Sequence, residues 1–208
     1  MYGYATNETP ELLPTPFDVA TKFLEKLKEV ADDRIKADAK SQVTFDYGTG
    51  RIDTFLCSVQ TARDITQNDF KAVKRIISGL MKDTAAERAL NTDFQVLINP
   101  TGRFEVGGPF ADCGVTGRKL ACDTYGSIGR IAGGVLSGKD STKVDRSGAY
   151  MARKSLVISS EPVMLINVRF RSLTPSALLN LCLFTLNASE QNIRKSDSSK
   201  SLSISPMT

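Results

Sequence analysis

Val43-Thr44-Phe45-Asp46-Tyr47, then Gly48-Thr49-Gly50, then the run from Ile52 to Gln60, is the stretch that decides the fold. Val43, Phe45 and Tyr47 alternate with Thr44 and Asp46, the two-residue period of a strand buried on one face. The Gly-Thr-Gly triplet supplies a turn, and the run from Ile52 returns as the second arm of a hairpin. Before the hairpin, residues 16–31 set Phe17, Ala20, Phe23, Leu24, Leu27 and Ala31 at helical spacing behind Pro16, which suits a first turn. After it, Thr66 can cap a second helix with Asp69 three residues on, and Phe70, Val73, Ile76, Ile77 and Leu80 form its apolar face. A third strand, Phe94 to Ile98, stops at the turn signal Asn99-Pro100. Helix, strand, strand, helix, strand is the order of an α+β layer, with helices on one face of a mostly antiparallel sheet. Residues 1–106 are expected to complete that domain.

Composition sets the outer limits. The chain has 208 residues, 41% of them hydrophobic and 24% charged, enough for one large domain or two small ones. No apolar run reaches the ~18–20 residues of a membrane span. The opening Met1-Tyr2-Gly3-Tyr4-Ala5 lacks the basic-then-apolar pattern of a leader, so a cytoplasmic location is expected, with no membrane partner. A net charge of +4 suits an anionic partner. Tryptophan is absent and the aromatics do not interleave with a basic stripe, which argues against nucleic acid. Cys57, Cys113, Cys122 and Cys182 form no C-x-x-C pair and histidine is absent, so buried free thiols are expected rather than a zinc site or a disulfide framework.

From Gly102 to Gly138 the character changes. Ten of the 15 glycines fall in these 37 residues, beside Arg103, Arg118, Lys119, Arg130 and the adjoining Lys139. Glycine lets backbone approach a ligand closely at an entropic cost to folding. That cost makes sense if an anion must be wrapped; the plainer reading is a solvated loop with scattered charge.

Two segments carry a resemblance. Asn99-Pro100-Thr101-Gly102-Arg103-Phe104 with Gly107-Gly108-Pro109 is followed by Asp112-Cys113-Gly114-Val115-Thr116-Gly117-Arg118-Lys119 and Asp123-Thr124-Tyr125-Gly126. Then come Gly133-Gly134, Ser137-Gly138-Lys139-Asp140 and Lys143-Val144-Asp145-Arg146-Ser147. In this order the series resembles methionine adenosyltransferases (S-adenosylmethionine synthetases). Tyr4-Ala5-Thr6-Asn7-Glu8-Thr9-Pro10 and Asp38-Ala39-Lys40-Ser41-Gln42-Val43-Thr44 look like the family's middle-domain signatures, and the likeness holds from residue 1 to about residue 157 in one register.

The family joins the methionine sulfur to C5′ of ATP and expels triphosphate, which it then hydrolyses. Such a displacement asks a protein for in-line positioning and for neutralisation of the departing polyphosphate. By the resemblance, Lys40, Arg118, Lys119 and Lys139 would grip the triphosphate as the catalytic cations. Asp38, Arg103, Phe104 and Val135 would complete the ATP site, Phe104 as an apolar or stacking surface. Asp112 and Lys143 would meet the amino and carboxylate groups of methionine, and Asp145 would help place Mg2+. A K+ ion is usual in the family, with its site outside this chain. Taken singly, Lys40, Lys139 and Lys143 also read as solvated lysines, Asp145 as a surface partner of Arg146 or Lys143, Asp112 as an Asx turn, and Phe104 as core.

The pattern also departs. The family's first domain, with its H-P-D-K-like motif, would precede Met1, so the chain is expected to be inactive alone while keeping affinity for ATP or triphosphate. The alternative is a non-catalytic protein that pairs with full-length subunits; a homodimer is the family's habit. The family's S-T-Q-H is Ser58-Val59-Gln60-Thr61 here, its H-G-G-G-A-F is Ile131-Ala132-Gly133-Gly134-Val135-Leu136, and Thr21 takes a common histidine position. Residues 107–157 read as the start of the C-terminal domain. From about Ile158 to Thr208 the likeness stops, and seven serines crowd the stretch after Ala188. Regrouping plausible codons from the last base of Ser172 restores S-Y-A-I-G-V-A-E-P-V-S-I-Y, the strand expected there. A shifted reading frame and a poorly ordered tail are therefore expected over 158–208.

Overall fold

The computed structural model describes residues 1–159 and two strand segments, 166–171 and 183–188. The expectation of a shifted, poorly ordered tail falls mostly outside the described residues, which within 158–208 are 158–159, 166–171 and 183–188. The chain opens on a short strand, β1 (Tyr2–Ala5), followed by helix α1 (Thr15–Val30), the hairpin strands β2 (Ile35–Asp46) and β3 (Arg51–Thr61), helix α2 (Gln67–Glu87) and strand β4 (Gln95–Ile98). The glycine-rich segment holds a single helical turn, α3 (Leu120–Asp123), and is followed by a third long helix, α4 (Val144–Ser159), and strands β5 (Ile166–Arg171) and β6 (Leu183–Ala188).

Two three-stranded sheets result, one ordered β2-β3-β4 and the other β1-β5-β6. The hairpin pairs antiparallel, Lys40 opposite Ser58 and Asp46 opposite Arg51, with a register shift at Thr44/Phe45. Its turn needs Gly50, which sits at φ +70° while its N–H donates to the Asp46 carbonyl. β4 runs parallel to β3, since α2 carries the chain back across the sheet. This is the α+β layer read from the hairpin, with α1 and α2 on one sheet face.

The core lies between that sheet and α1 and α2. Phe55 is its centre, with Phe23 5.1 Å away and Phe94 5.7 Å away, both inclined to it rather than stacked face to face. α1 buries Val19, Phe23 and Leu27. The buried stripe is thus rotated from the one expected: Phe17 is only half-buried and serves instead as a floor for Gly126, where an added Cβ would stand 2.6 Å from the ring. α2 starts at Thr66 as expected, its Oγ1 accepting from the Asp69 N–H at 3.1 Å. Its buried face is Phe70, Val73, Ile77 and Met81, so Ile76, 40% exposed, is a correction: it lies on the flank of a stripe that continues to Met81.

The thiols also differ from expectation. Cys57 is buried and free, and burial pushes its thiol up to about 12, but Cys113 and Cys122 are exposed because they ride on the glycine-rich segment. No helix among the described residues is long and apolar enough to cross a membrane.

β1 packs against α4. Gly3 lies so close to the helix that a Cβ there would be 2.6 Å from the Ala152 carbonyl carbon. Arg153 locks the contact, donating to the carbonyls of Tyr4 (2.6 Å), Leu12 (2.9 Å) and Glu11 (2.8 Å).

Candidate functional site

The glycine-rich segment begins where β4 ends. Asn99 takes φ +45°, and its side chain accepts from the Val59 N–H (2.8 Å) and donates to the Val59 carbonyl (2.9 Å). The chain then passes back across β2 and β3. Thr61 is buried and its N–H donates to the Phe104 carbonyl at 2.7 Å. Gln60 donates to the Glu105 carbonyl, and Asp38 accepts from the Gly108 N–H at 2.9 Å. Gly107 is squeezed between them, with room for no Cβ: it would stand 2.7 Å from the Gln60 Oε1. Asp38 and Gln60 therefore clamp the entry of the segment onto the hairpin.

Arg103 faces the start of α2. Its fork donates to the Ile65 carbonyl (3.1 Å) and the Gln67 side chain (2.9 Å), and its guanidinium lies 5.5 Å from the Phe70 ring centre. Those bonds use the guanidinium to fasten the loop. Phe104 is half-buried. Asp112 is exposed and accepts from the Gly114 N–H at 3.0 Å, the Asx turn that its glycine-rich setting allows.

Further along, the segment docks on the N-terminal strand. Tyr125 is buried with its ring 5.8 Å from that of Tyr4, and Gly129 lies against both rings. Gly117, at φ +77°, lies under Val135, whose Cγ2 would be 2.3 Å from an added Cβ. Lys119 stands just before α3, its carbonyl accepting from the Asp123 N–H.

The charges divide into two groups. The side chains of Lys40, Arg118, Lys119 and Lys143 are exposed and, among the described residues, hold no ion pair. Lys139 instead donates to the Asp145 carboxylate, both groups being roughly two-thirds shielded. Arg146 fixes the same turn by donating to the Lys139 carbonyl at 2.5 Å. Gly134 covers the carboxylate so closely that a Cβ would be 2.3 Å from its Oδ1.

Asp145 also borders a cavity of about 20 Å3 with Ile131, Leu120, Leu136, Thr124 and Tyr2, room for one water and nothing larger. A groove of about 660 Å3 lies elsewhere, between α2 and β4, lined by Lys74, Arg75, Val96 and Pro100 among others; none of the expected site residues reaches it.

Magnesium takes oxygen ligands, most readily carboxylates and phosphates. Among the described residues no three Asp, Glu or Cys side chains gather to hold a metal, and the one expected carboxylate, Asp145, is engaged by an ammonium group. Among the described residues no side-chain cage for magnesium is formed; Asp145 would supply a single carboxylate, with phosphate and water oxygens completing the shell.

Sequence reading missed three contributors. Gln60 and the Tyr4–Tyr125 contact had no signal beyond a place in a motif. Arg153 had none at all, because its three acceptors are main-chain atoms of residues 4–12.

Comparison with known proteins places this geometry in context. Residues 1–104 match the family model described as S-adenosylmethionine synthetase, central domain, and residues 106–161 match S-adenosylmethionine synthetase, C-terminal domain. The fold is similar to the solved structure of an unusual S-adenosylmethionine synthetase from Campylobacter jejuni, at 30% identity and a TM-score of 0.71. The match covers 82% of this chain and 47% of that one, so the chain spans about half the length of its solved relative. With both family domains matched in order across most of its length, the chain belongs to the S-adenosylmethionine synthetase family.

Proposed function

We propose that the segment from Gly102 to Lys143 binds the polyphosphate of ATP in the synthesis of S-adenosylmethionine. One observation carries this reading: Arg118, Lys119 and Lys143 are exposed on a glycine-rich segment that is pinned at both ends, and no carboxylate among the described residues neutralises them. Pinning matters, because cations held in place before the reaction stabilise a departing polyanion without reorganising at that moment.

In the reaction, a methionine sulfur lone pair forms the new bond to C5′ as the C5′–O bond breaks. The electron pair leaves on the triphosphate, giving a sulfonium and a polyanion. Arg118, Lys119, Lys139 and Lys40 suit the polyanion. Lys143 suits the methionine carboxylate. Asp112, whose second carboxylate oxygen is uncommitted among the described residues, suits its ammonium. Phe104 and Val135 offer apolar surface to the nucleoside. No step is routed through a metal.

The test is calorimetric titration of the protein with inorganic triphosphate at low salt. Binding that weakens as salt is added is expected. The double variant Lys119→Ala/Lys139→Ala should raise Kd at least about tenfold, the loss of one charge-assisted hydrogen bond of about 1.5 kcal/mol. Absence of binding at low salt, or indifference to the double variant, would overturn the reading.

A further inference from the structure

We infer that Asp145 is a positioning residue for Lys139, holding and masking its ammonium group until a polyphosphate displaces the carboxylate. The inference deepens the polyphosphate reading and rests on it for the identity of the displacing anion.

Four observations converge. The Lys139 ammonium donates directly to the Asp145 Oδ2. Both side chains are partly shielded, Lys139 27% and Asp145 33% exposed, so the pair is less screened than one in open water. The carboxylate is walled on another side by the Gly134 backbone, which leaves no space for a side chain there. The turn is braced independently, since Arg146 donates to the Lys139 carbonyl and the Lys143 N–H donates to the Asp140 carbonyl at 3.2 Å. Gly138, at φ +79°, supplies the left-handed step just before Lys139. The backbone thus stays put while the ion pair opens.

Chemistry then distinguishes Lys139 from its neighbours. Arg118, Lys119 and Lys143 are available to an anion at once. Lys139 is available only after exchange, one carboxylate being replaced by a phosphate oxygen of higher charge. An internal carboxylate competes with the ligand for the same ammonium, so it lowers anion affinity while keeping the lysine in position. A magnesium ligand behaves oppositely: its removal weakens metal-dependent phosphate binding.

Two measurements on the folded protein decide the matter. The first is acetylation of lysines at near-neutral pH, read residue by residue from peptide masses. In the wild type Lys139 should react more slowly than exposed Lys119, and triphosphate at low salt should not restore its reactivity, since one anionic partner replaces another. In Asp145→Asn, without ligand, Lys139 should match Lys119. Equal reactivity in the wild type would overturn the masking directly, with no variant needed.

The second is triphosphate titration in the presence of a chelator. Asp145→Asn should tighten binding about two- to fivefold, as expected for release of a weakly screened ion pair. Asp123→Asn carries the same charge change on an exposed aspartate and should tighten it less. A weaker Asp145→Asn variant would overturn the inference. If no protein binds triphosphate, the polyphosphate reading fails and the acetylation result alone decides whether Asp145 masks Lys139.

Discussion

Asp18 lies in the first turn of α1 with 3% of its side chain exposed, and its Oδ2 is 2.7 Å from the Arg88 guanidinium. Burial pushes its carboxyl above the ordinary aspartate value; Arg88 pulls it down, and nearby Glu11 adds to the upward push. The net rise means that the folded protein resists the charge despite the partner. Removing the charge and removing the partner should therefore differ. Asp18→Asn is expected to change stability by less than about 1 kcal/mol, because the desolvation penalty leaves with the charge. Arg88→Ala strands a buried carboxylate and is expected to cost about 2 kcal/mol, less than for a fully buried pair because Arg88 is one-quarter exposed. Acid adds a sign. A raised carboxyl binds its proton earlier in the folded than in the unfolded chain, so acidification from neutral pH toward 3.8 relieves the wild type but not Asp18→Asn. Asp32, Asp46 and Asp93 are lowered by their hydrogen bonds, and what they contribute is lost progressively as pH falls through 3.8 toward their lower folded values, in the wild type and Asp18→Asn alike. Urea unfolding at pH 7 and pH 4 should show wild type gaining on Asp18→Asn; the reverse would mean that Arg88 outweighs burial.

β4 is only four residues long, yet β3 is partnered well beyond it. Two asparagines extend the ladder. Asn91 accepts from the Ile52 N–H (2.7 Å) and donates to the Ile52 carbonyl (2.9 Å), and Asn99 does the same for Val59. Each side-chain amide imitates a strand residue at one end of the β4 pairing. Asn99 is buried, so Asn99→Ala orphans two main-chain groups with no water at hand and should cost about 2–4 kcal/mol in a urea melt. Asn91, half-exposed, should cost about half as much. The contrast with Thr66 shows what a sequence can reveal. The Thr66 cap is closed by Asp69 three residues away, hydroxyl to carboxylate at 2.6 Å, and was legible because it is local. Asn99-Pro100 was legible as a stop, but a grip on a residue forty positions earlier left no mark. α4 was not read as a helix for another reason. Its buried face, Ala152 and Leu156, is opposed by exposed Val144, Tyr150, Met151 and Ile158, which blurs the 3.6-residue period.

Arg153 ties α4 to the N-terminal strand and the turn that follows it. It joins α4 to three carbonyls between Tyr4 and Leu12, with its guanidinium 6.0 Å from the Tyr125 ring centre, and burial lowers its pKa. Arg153→Ala is expected to cost about 3 kcal/mol, and Arg153→Lys nearly as much, since a single ammonium cannot span three acceptors. Amide exchange should quicken at residues 2–5 and 152–156 and stay unchanged at 55–59; uniform quickening would mean that the sheets do not behave as separable units. The candidate site shows the same divide between near and far. Its cations were legible from motif order, but the pairing of Lys139 with Asp145 depended on a left-handed glycine between two turns, which no spacing rule reports. The packing of Gly3 on Ala152 has a consequence in time. During synthesis β1 emerges about 150 residues ahead of the helix it rests on, and α1, the hairpin, α2 and β4 are available to one another well before that helix is made. At roughly 5–20 residues per second, Tyr4 and Ala5 wait many seconds without their shelter. A nascent chain has that interval in which β1 can be captured by a chaperone or can pair with the wrong strand, so β1 becomes safe later than the hairpin sheet does.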